Sequence, residues 1–200
     1  MKRIILPGEL IFNGVKRLNH TYVSNSKTYA AIVGMYDEEH GTLIPLEGVW
    51  LPNIGENVVG VVASERNSVY KVMLTDFVEG LIILDRYSRE HFSVGGVVRA
   101  TISEVERKNR VILERYGVLK GGILLNIKPV KIPRVIGRGD TMIKQLTDLT
   151  GSQIVVGRNG LVWINRGNVD LAISALIKIE NEAHTSGLTE RIKQMLETNR

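Results

Sequence analysis

Gly137-Arg138-Gly139-Asp140 interrupts an apolar stretch in the last third of the chain, with Val135-Ile136 before it and Met142-Ile143 after it. Without side chains at the two glycines, backbone N–H groups and the start of a following helix can approach a phosphate closely. Arg138 offers the same anion a charge-assisted hydrogen bond, and Arg134 and Lys144 add positive charge on either side. Asp140 puts a carboxylate where a phosphate would arrive, and the expected role of that carboxylate is to cap the helix that begins at Thr141. About twenty positions on, Gly157-Arg158-Asn159-Gly160 separates two short apolar runs. Asn-Gly is a strong hairpin signal that asks for φ > 0 at both residues.

Other chemistries find no support in the residues. A phosphate-binding P-loop ends in Gly-Lys-Ser/Thr, which occurs nowhere in the chain. The chain has no cysteine, so disulfides and cysteine-ligated zinc are excluded. His20, His40, His91 and His184 fall in separate turns, away from any zinc-hydrolase pattern or nucleophilic serine. The cluster Asp37-Glu38-Glu39-His40 consists of consecutive loop residues, which seldom converge on one ion. The expectation is a protein that is not an enzyme and takes no cofactor or metal.

The elements that must position the glycine loop can be read outward from it. Ile123 to Ile127 reads as a strand, and Pro129 and Pro133 bracket the entry to a first helix. Met142, Ile143, Leu146 and Leu149 then share one face of a second helix, ended by Thr150-Gly151. Ile154 to Val156 and Leu161 to Ile164 pair as a hairpin. A third helix carries Val169, Ala172, Ile173, Leu176, Ile177 and Ala183 at three- and four-residue intervals, and Leu188 to Leu196 is a short terminal helix. The order β-α-α-β-β-α, with its basic Gly loop between the first two helices, is the layout of a KH domain, whose loop clamps a nucleic-acid backbone.

Upstream, residues 54–116 hold five apolar runs: Val58 to Ala63, Val69 to Leu74, Gly80 to Leu84, Val97 to Ile102 and Arg110 to Glu114. Five short strands of this spacing suit a small OB-type barrel, which binds single-stranded nucleic acid across one face. Tyr70, Phe77, Tyr87 and Phe92 interleave with Arg66, Lys71, Arg86 and Arg89, a mixture fit for base stacking and phosphate contact. Residues 1–53 are also β-like, with Ala30 to Val33, Leu43 to Leu46 and Val49 to Leu51 separated by turn clusters. The expected fold class is multidomain, mainly β plus α+β: an N-terminal β docking domain (1–53), an OB-type barrel (54–116) and a KH domain with a C-terminal helix (117–200).

Charge placement points the same way. The first two segments are balanced, five basic against five acidic residues and nine against nine, whereas residues 117–200 carry twelve against seven. The whole net charge of +5 thus sits on the KH segment, a pointer to a polyanionic partner. No apolar run approaches a membrane span, and Met1 to Pro7 has too short an apolar core for a signal peptide, so a cytoplasmic protein with no membrane partner is expected.

Three motifs carry a resemblance to a known family. Pro7-Gly8-Glu9 looks like its opening motif, Pro52, Gly55 and Gly60 resemble its entry into an S-one-type barrel, and Gly157-Arg158-Asn159-Gly160 before Val162-Trp163-Ile164 resembles its Gly-X-Asn-Gly signature. Together with the order β segment, barrel, KH, they make the chain similar over essentially its full length to the KH-type RNA-binding cap subunit of the archaeal exosome. The sequence departs from that pattern at Asp140, where KH loops carry a glycine, and at Ile83, where many such barrels carry a histidine. The resemblance implies a trimeric cap on a hexameric ring of RNase PH-like subunits, guiding single-stranded RNA by its 3′ end into the pore where the ring degrades it. The barrel cations and aromatic and the basic glycine loop read above give the expected RNA contacts: Arg66, Tyr70, Lys71, Arg86, Arg89, Arg134, Gly137, Arg138, Gly139 and Lys144. Two alternatives stay open at this point, a transcription- or translation-associated factor with the same barrel-then-KH order and a purely structural assembly clamp.

Overall fold

A computed structural model of the chain describes residues 2–198 apart from 19, 86–89, 108, 184 and 186. It divides into two compact units, Met1–Val49 and Trp50–Arg200.

The first unit is built from short strands: β1 (Lys2–Ile5), β2 (Leu10–Phe12), β3 (Thr21–Ser24), β4 (Lys27–Ala30), β5 (Gly34–Asp37) and β6 (Thr42–Pro45). They form two antiparallel three-stranded sheets, β1-β5-β6 and β2-β4-β3. Asn25 and Ser26 join β3 to β4 with φ of 48° and 57°, the left-handed pair that a two-residue hairpin turn requires. The core is small: Ile5, Ala30, Tyr36 and Leu43, flanked by Ile11, Leu18 and Ile32. Thr28, fully buried, holds a loop onto it, accepting from Lys16 N at 2.9 Å and donating to the Gly14 carbonyl at 2.8 Å. Two sequence expectations shift here. The strand read at Ala30 to Val33 ends at Ala30, and Val49 to Leu51 form no strand.

In the second unit β7 (Asn57–Arg66), β8 (Val69–Met73), β9 (Glu79–Ile83), β10 (Val97–Arg107) and β11 (Arg110–Leu119) close into a barrel in the order β10-β11-β9-β8-β7. β11 runs parallel to β9, and the remaining pairs are antiparallel. Alternation turns Val58, Val62, Tyr70, Val72, Ile82, Val98, Ile102, Val111 and Leu113 inward. Trp50 joins this core rather than a strand of the first unit. Its ring is buried, and its indole Nε1 donates to the Glu56 carboxylate at 3.0 Å.

β12 (Ile123–Asn126) then leads through a 3₁₀ turn (Pro129–Lys131) into α1 (Ile132–Ile136), α2 (Thr141–Thr150), β13 (Gln153–Val156), β14 (Leu161–Asn165), α3 (Val169–Glu182) and α4 (Leu188–Thr198). The sheet order is β12-β14-β13, all antiparallel. Ile132, Val135, Met142, Leu146, Val162, Ile164, Ala172, Leu176 and Ile179 make one core, which Ile192 and Leu196 of α4 complete. Asn168 caps α3, its Oδ1 accepting from Leu171 N at 3.1 Å, and Gly151 ends α2 at φ 66°. Trp163 stands between Val162 and Ile164 on the opposite face of the sheet, tethered by Nε1 to the Gly121 carbonyl at 2.7 Å.

Candidate nucleic-acid interface

The loop between α1 and α2 is shaped by its glycines. Gly137 holds φ 78° and ψ 171°, a region open in practice to glycine alone, and an added Cβ would lie 2.6 Å from Met142 N. Gly139 is left-handed at φ 60°, but a Cβ there would meet nothing within 4 Å. Arg138, Gly139 and Asp140 are exposed, so the tip of the loop is open to an incoming ligand. Asp140 does not cap α2 as expected. It occupies the N-cap position at φ 62°, and its side chain makes no cap hydrogen bond. The left-handed backbone departs from the extended conformation from which an N-cap carboxylate reaches back to the helix. Arg134 on α1 and Lys144 on α2 are both exposed near this loop in sequence, so the fold gathers the five KH candidates at one helix–loop–helix junction.

The second glycine-bracketed turn does something else. Gly157 N donates to the Leu161 carbonyl at 2.8 Å and Gly160 N donates to the Gly157 carbonyl at 3.1 Å. Among Arg158, Asn159 and Gly160 only Gly160 has positive φ, at 98°. This is a three-residue loop with glycine in the left-handed position, not the expected two-residue turn with φ > 0 at both Asn159 and Gly160. The change frees Asn159 to point inward. Its side chain is buried; Oδ1 accepts from Val59 N at 3.2 Å, and Nδ2 donates to the carbonyls of Val59 at 2.7 Å and Leu74 at 2.6 Å. Arg158 N adds a bond to the Asn57 carbonyl at 2.8 Å. A Cβ on Gly157 would lie 2.2 Å from Asn159 Oδ1, so that glycine is the clearance the joint needs. The signature turn therefore fastens the KH hairpin to β7 and to Leu74, the residue just past β8 of the barrel, with Arg158 left exposed.

The barrel candidates divide. Arg66 is exposed at the end of β7, where Asn67 and Ser68, at φ 51° and 63°, turn the chain into β8. Lys71 faces outward but is paired, Nζ lying 3.0 Å from Glu79 Oε1. Tyr70 is a correction: its ring is 1% exposed, packed edge-on to Phe92 at 5.0 Å, with its hydroxyl 3.3 Å from His91 Nδ1. Burial and the neighbouring Glu65 carboxylate push its phenol up. A ring held inside the barrel cannot stack on a base. Phe92 is buried too and meets Tyr116 at 5.3 Å, whereas Phe77 is 75% exposed. Arg86, Tyr87 and Arg89 lie outside the described residues.

Asp37, Glu39 and His40 in the first unit do converge, with ligand atoms within 4.8 Å of one another, contrary to the sequence expectation. The reason is local: Asp37 Oδ1 accepts from Glu39 N at 3.1 Å, and Oδ2 lies 3.0 Å from His40 Nδ1. The buried carboxylate folds the turn around itself.

A closed five-stranded barrel fastened to a βααββα domain with an open glycine loop defines a nucleic-acid-binding protein of the barrel-and-KH class. Residues 122–170 match the family model of the KH domain. Over 98% of its length the chain is 35% identical to exosome complex component Rrp4 of Pyrococcus furiosus, covering 83% of that protein. It is 35% identical over its whole length to the Methanosarcina barkeri component of that name (83% covered), and 34% identical over 98% of its length to that of Saccharolobus solfataricus (88% covered). A crystal structure described as an exosome complex RNA-binding protein superposes with a TM-score of 0.66 at 27% identity, covering 76% of this chain and 98% of the other. The chain belongs to the Rrp4 family of exosome complex components.

Proposed function

We propose that this chain is a non-catalytic, RNA-binding cap subunit of an archaeal exosome. Three copies seat on a hexameric ring of RNase PH-like subunits and guide RNA 3′ ends into the pore for 3′→5′ degradation. The observation that supports this reading is the similarity to Rrp4 components, which extends from the N-terminal β segment through the KH helices. The ring supplies the bond-breaking chemistry; this chain supplies contacts, in the cytoplasm. No helix among the described residues is long and apolar enough to cross a membrane.

In this reading the chain has three working parts, expected from the sequence at 1–53, 54–116 and 117–200. Their borders move to 1–49, 50–119 and 120–200 because Trp50 packs into the barrel core and β11 runs to Leu119. The first docks on the ring: its core is small, and Ile4, Leu6, Phe12, Val15 and Val49 are 47% to 77% exposed, apolar surface that a protein partner would cover. Trp50 does not share that role, since it belongs to the barrel core. The barrel contributes Arg66 and Lys71, with Arg86 and Arg89, to RNA contact, and the KH loop contributes Gly137, Arg138 and Gly139 between Arg134 and Lys144. Gel filtration with the ring subunits tests the reading. The full chain co-elutes with the ring and confers RNA retention on it, and a chain lacking residues 1–49 elutes separately while still folded. Failure of the full chain to join the ring sinks the proposal; persistence of the truncated chain on the ring moves the docking surface to the barrel or KH domain.

A further inference from the structure

Between β10–β11 of the barrel and the outward face and free edge of the KH sheet runs a groove in two lobes, of about 620 and 580 Å³. Both lobes contain Arg99, Ile154 and Val155, so they form one continuous path. Lys120 and Arg166 line the first lobe and Arg115 the second, and no carboxylate lines either. All four cations are exposed, and no ion pair among the described residues engages any of them. Val155, opposite Trp163 on the outward face, gives an apolar floor under a cationic rim, while Ile154 at the sheet edge turns toward the KH core.

The placement of Arg115 is specific. In β11, Val111 and Leu113 point into the barrel, so strict alternation would send Arg115 inward as well. Instead the register slips: Arg99 pairs with Gly117 but Thr101 pairs with Glu114, leaving an extra residue in β11. At this bulge Arg115 adopts φ 49°, Tyr116 takes over the inward contact with the barrel core, and the guanidinium is released to the groove side. Arg166 is likewise left-handed, at φ 61°. Two arginines thus occupy a backbone region that L-residues with long side chains rarely adopt, each at the rim of the same groove. The Asn159 joint fixes the two walls relative to each other, since Asn57, whose carbonyl accepts from Arg158 N, lines the second lobe.

We infer that this junction groove is a second track for single-stranded nucleic acid, with Arg99, Arg115, Lys120 and Arg166 taking successive backbone phosphates and Val155 lying under the bases. The inference rests on the RNA-binding reading above but assigns contact to a surface away from the KH glycine loop. A two-lobed, open path with cations along its rim suits a linear polyanion rather than a small anion, which needs an enclosed site. Phosphate contacts along it carry a salt dependence of about −0.7 in log–log slope per phosphate on a single strand.

Fluorescence anisotropy of the full chain with a labelled oligo(A) RNA of roughly ten nucleotides, a length within the range such surfaces cover, tests this over a salt series. The quadruple variant R99Q/R115Q/K120Q/R166Q should lose affinity at low salt and flatten the slope by about 0.7 per cation removed. Arg115→Gly and Arg166→Gly guard against a folding artefact: glycine relieves the left-handed backbone, so both should melt at or above the wild-type temperature while binding RNA more weakly. An unchanged slope in the quadruple variant, or unchanged affinity in both glycine variants, overturns the groove and leaves the RNA-binding reading standing. No binding by the wild-type chain removes both. Polyglutamate binding that needs the four cations, with RNA binding that does not, makes the groove a site for an acidic protein and likewise overturns it.

Discussion

Asn159 and Val59, 100 positions apart in the chain, exchange a reciprocal pair of hydrogen bonds: Val59 N donates to Asn159 Oδ1 at 3.2 Å and Asn159 Nδ2 donates to the Val59 carbonyl at 2.7 Å. A side-chain amide here imitates the edge of a neighbouring strand. Replacing Asn159 by Leu leaves one buried N–H and two buried carbonyls without partners, each worth about 1–3 kcal/mol. Asn159→Leu should therefore lower unfolding stability in urea by several kcal/mol, about 3 or more on that scale. Asn159→Asp should be at least as damaging, because it presents a carboxylate to two carbonyl oxygens. Stability within about 0.5 kcal/mol of wild type for Asn159→Leu, the range of an ordinary surface change, would show that the joint is dispensable.

The two KH-loop glycines should separate on substitution. Gly137→Ala combines a backbone region closed to alanine with a Cβ 2.6 Å from Met142 N, and should cost about 3 kcal/mol or more. Gly139→Ala meets no atom and should cost only the left-handed penalty, about 1 kcal/mol. Thermal melts of the two variants check the order, and equal destabilisation contradicts it.

Tyr70 should behave as barrel core. Tyr70→Ala should destabilise by about 3–5 kcal/mol, as large aromatic truncations do, whereas Tyr70→Phe should fold and leave RNA affinity unchanged within error. A Phe variant that folds normally but binds RNA ten-fold more weakly would return Tyr70 to the interface.

Asp37 supplies a pH test. Burial alone would raise its pKa, but the His40 ring and the backbone N–H groups of His40 and Glu39 hold the carboxyl below its ordinary value of 3.8. A carboxyl with a depressed folded-state pKa adds stability above the unfolded value, and that stability is lost as pH falls through the folded one. Asp37→Asn should thus melt lower than wild type at neutral pH, and the gap should close as pH drops below 3.8. A gap that stays constant down to about pH 2 would mean that ionisation of Asp37 contributes nothing.

Much of this architecture is readable in the residues, because short-range patterns carry it. The short unbroken apolar run Val58 to Val62 and the three- and four-residue spacing of Val169 to Ala183 announce their elements without help from distant contacts. Side-chain destination is harder. Tyr70 and Lys71 are adjacent on one strand and must face opposite sides, so only one of them can serve an outer surface; the pattern of Tyr70 and Val72 already favoured the inside for the tyrosine. Val49-Trp50-Leu51 imitates a strand in composition, yet Trp50 is claimed by a core that begins later in the chain. The role of Asn159 could not be read locally at all, since every partner of its amide lies 85 or 100 positions upstream. Arg115 left a faint signal, a charged residue where β11 alternation calls for an apolar one.

The Asn159 joint also has an order in time. A ribosome adds about 5–20 residues per second, so Val59 leaves it roughly 5–20 s before the asparagine that will bind it. The barrel strands through β11 are all synthesised in that interval, and β7 can find its neighbours β8 and β10 while its joint with the KH hairpin is still unmade. Every strand of the barrel is therefore translated before the hairpin that latches it, so closing the barrel does not have to wait for the joint.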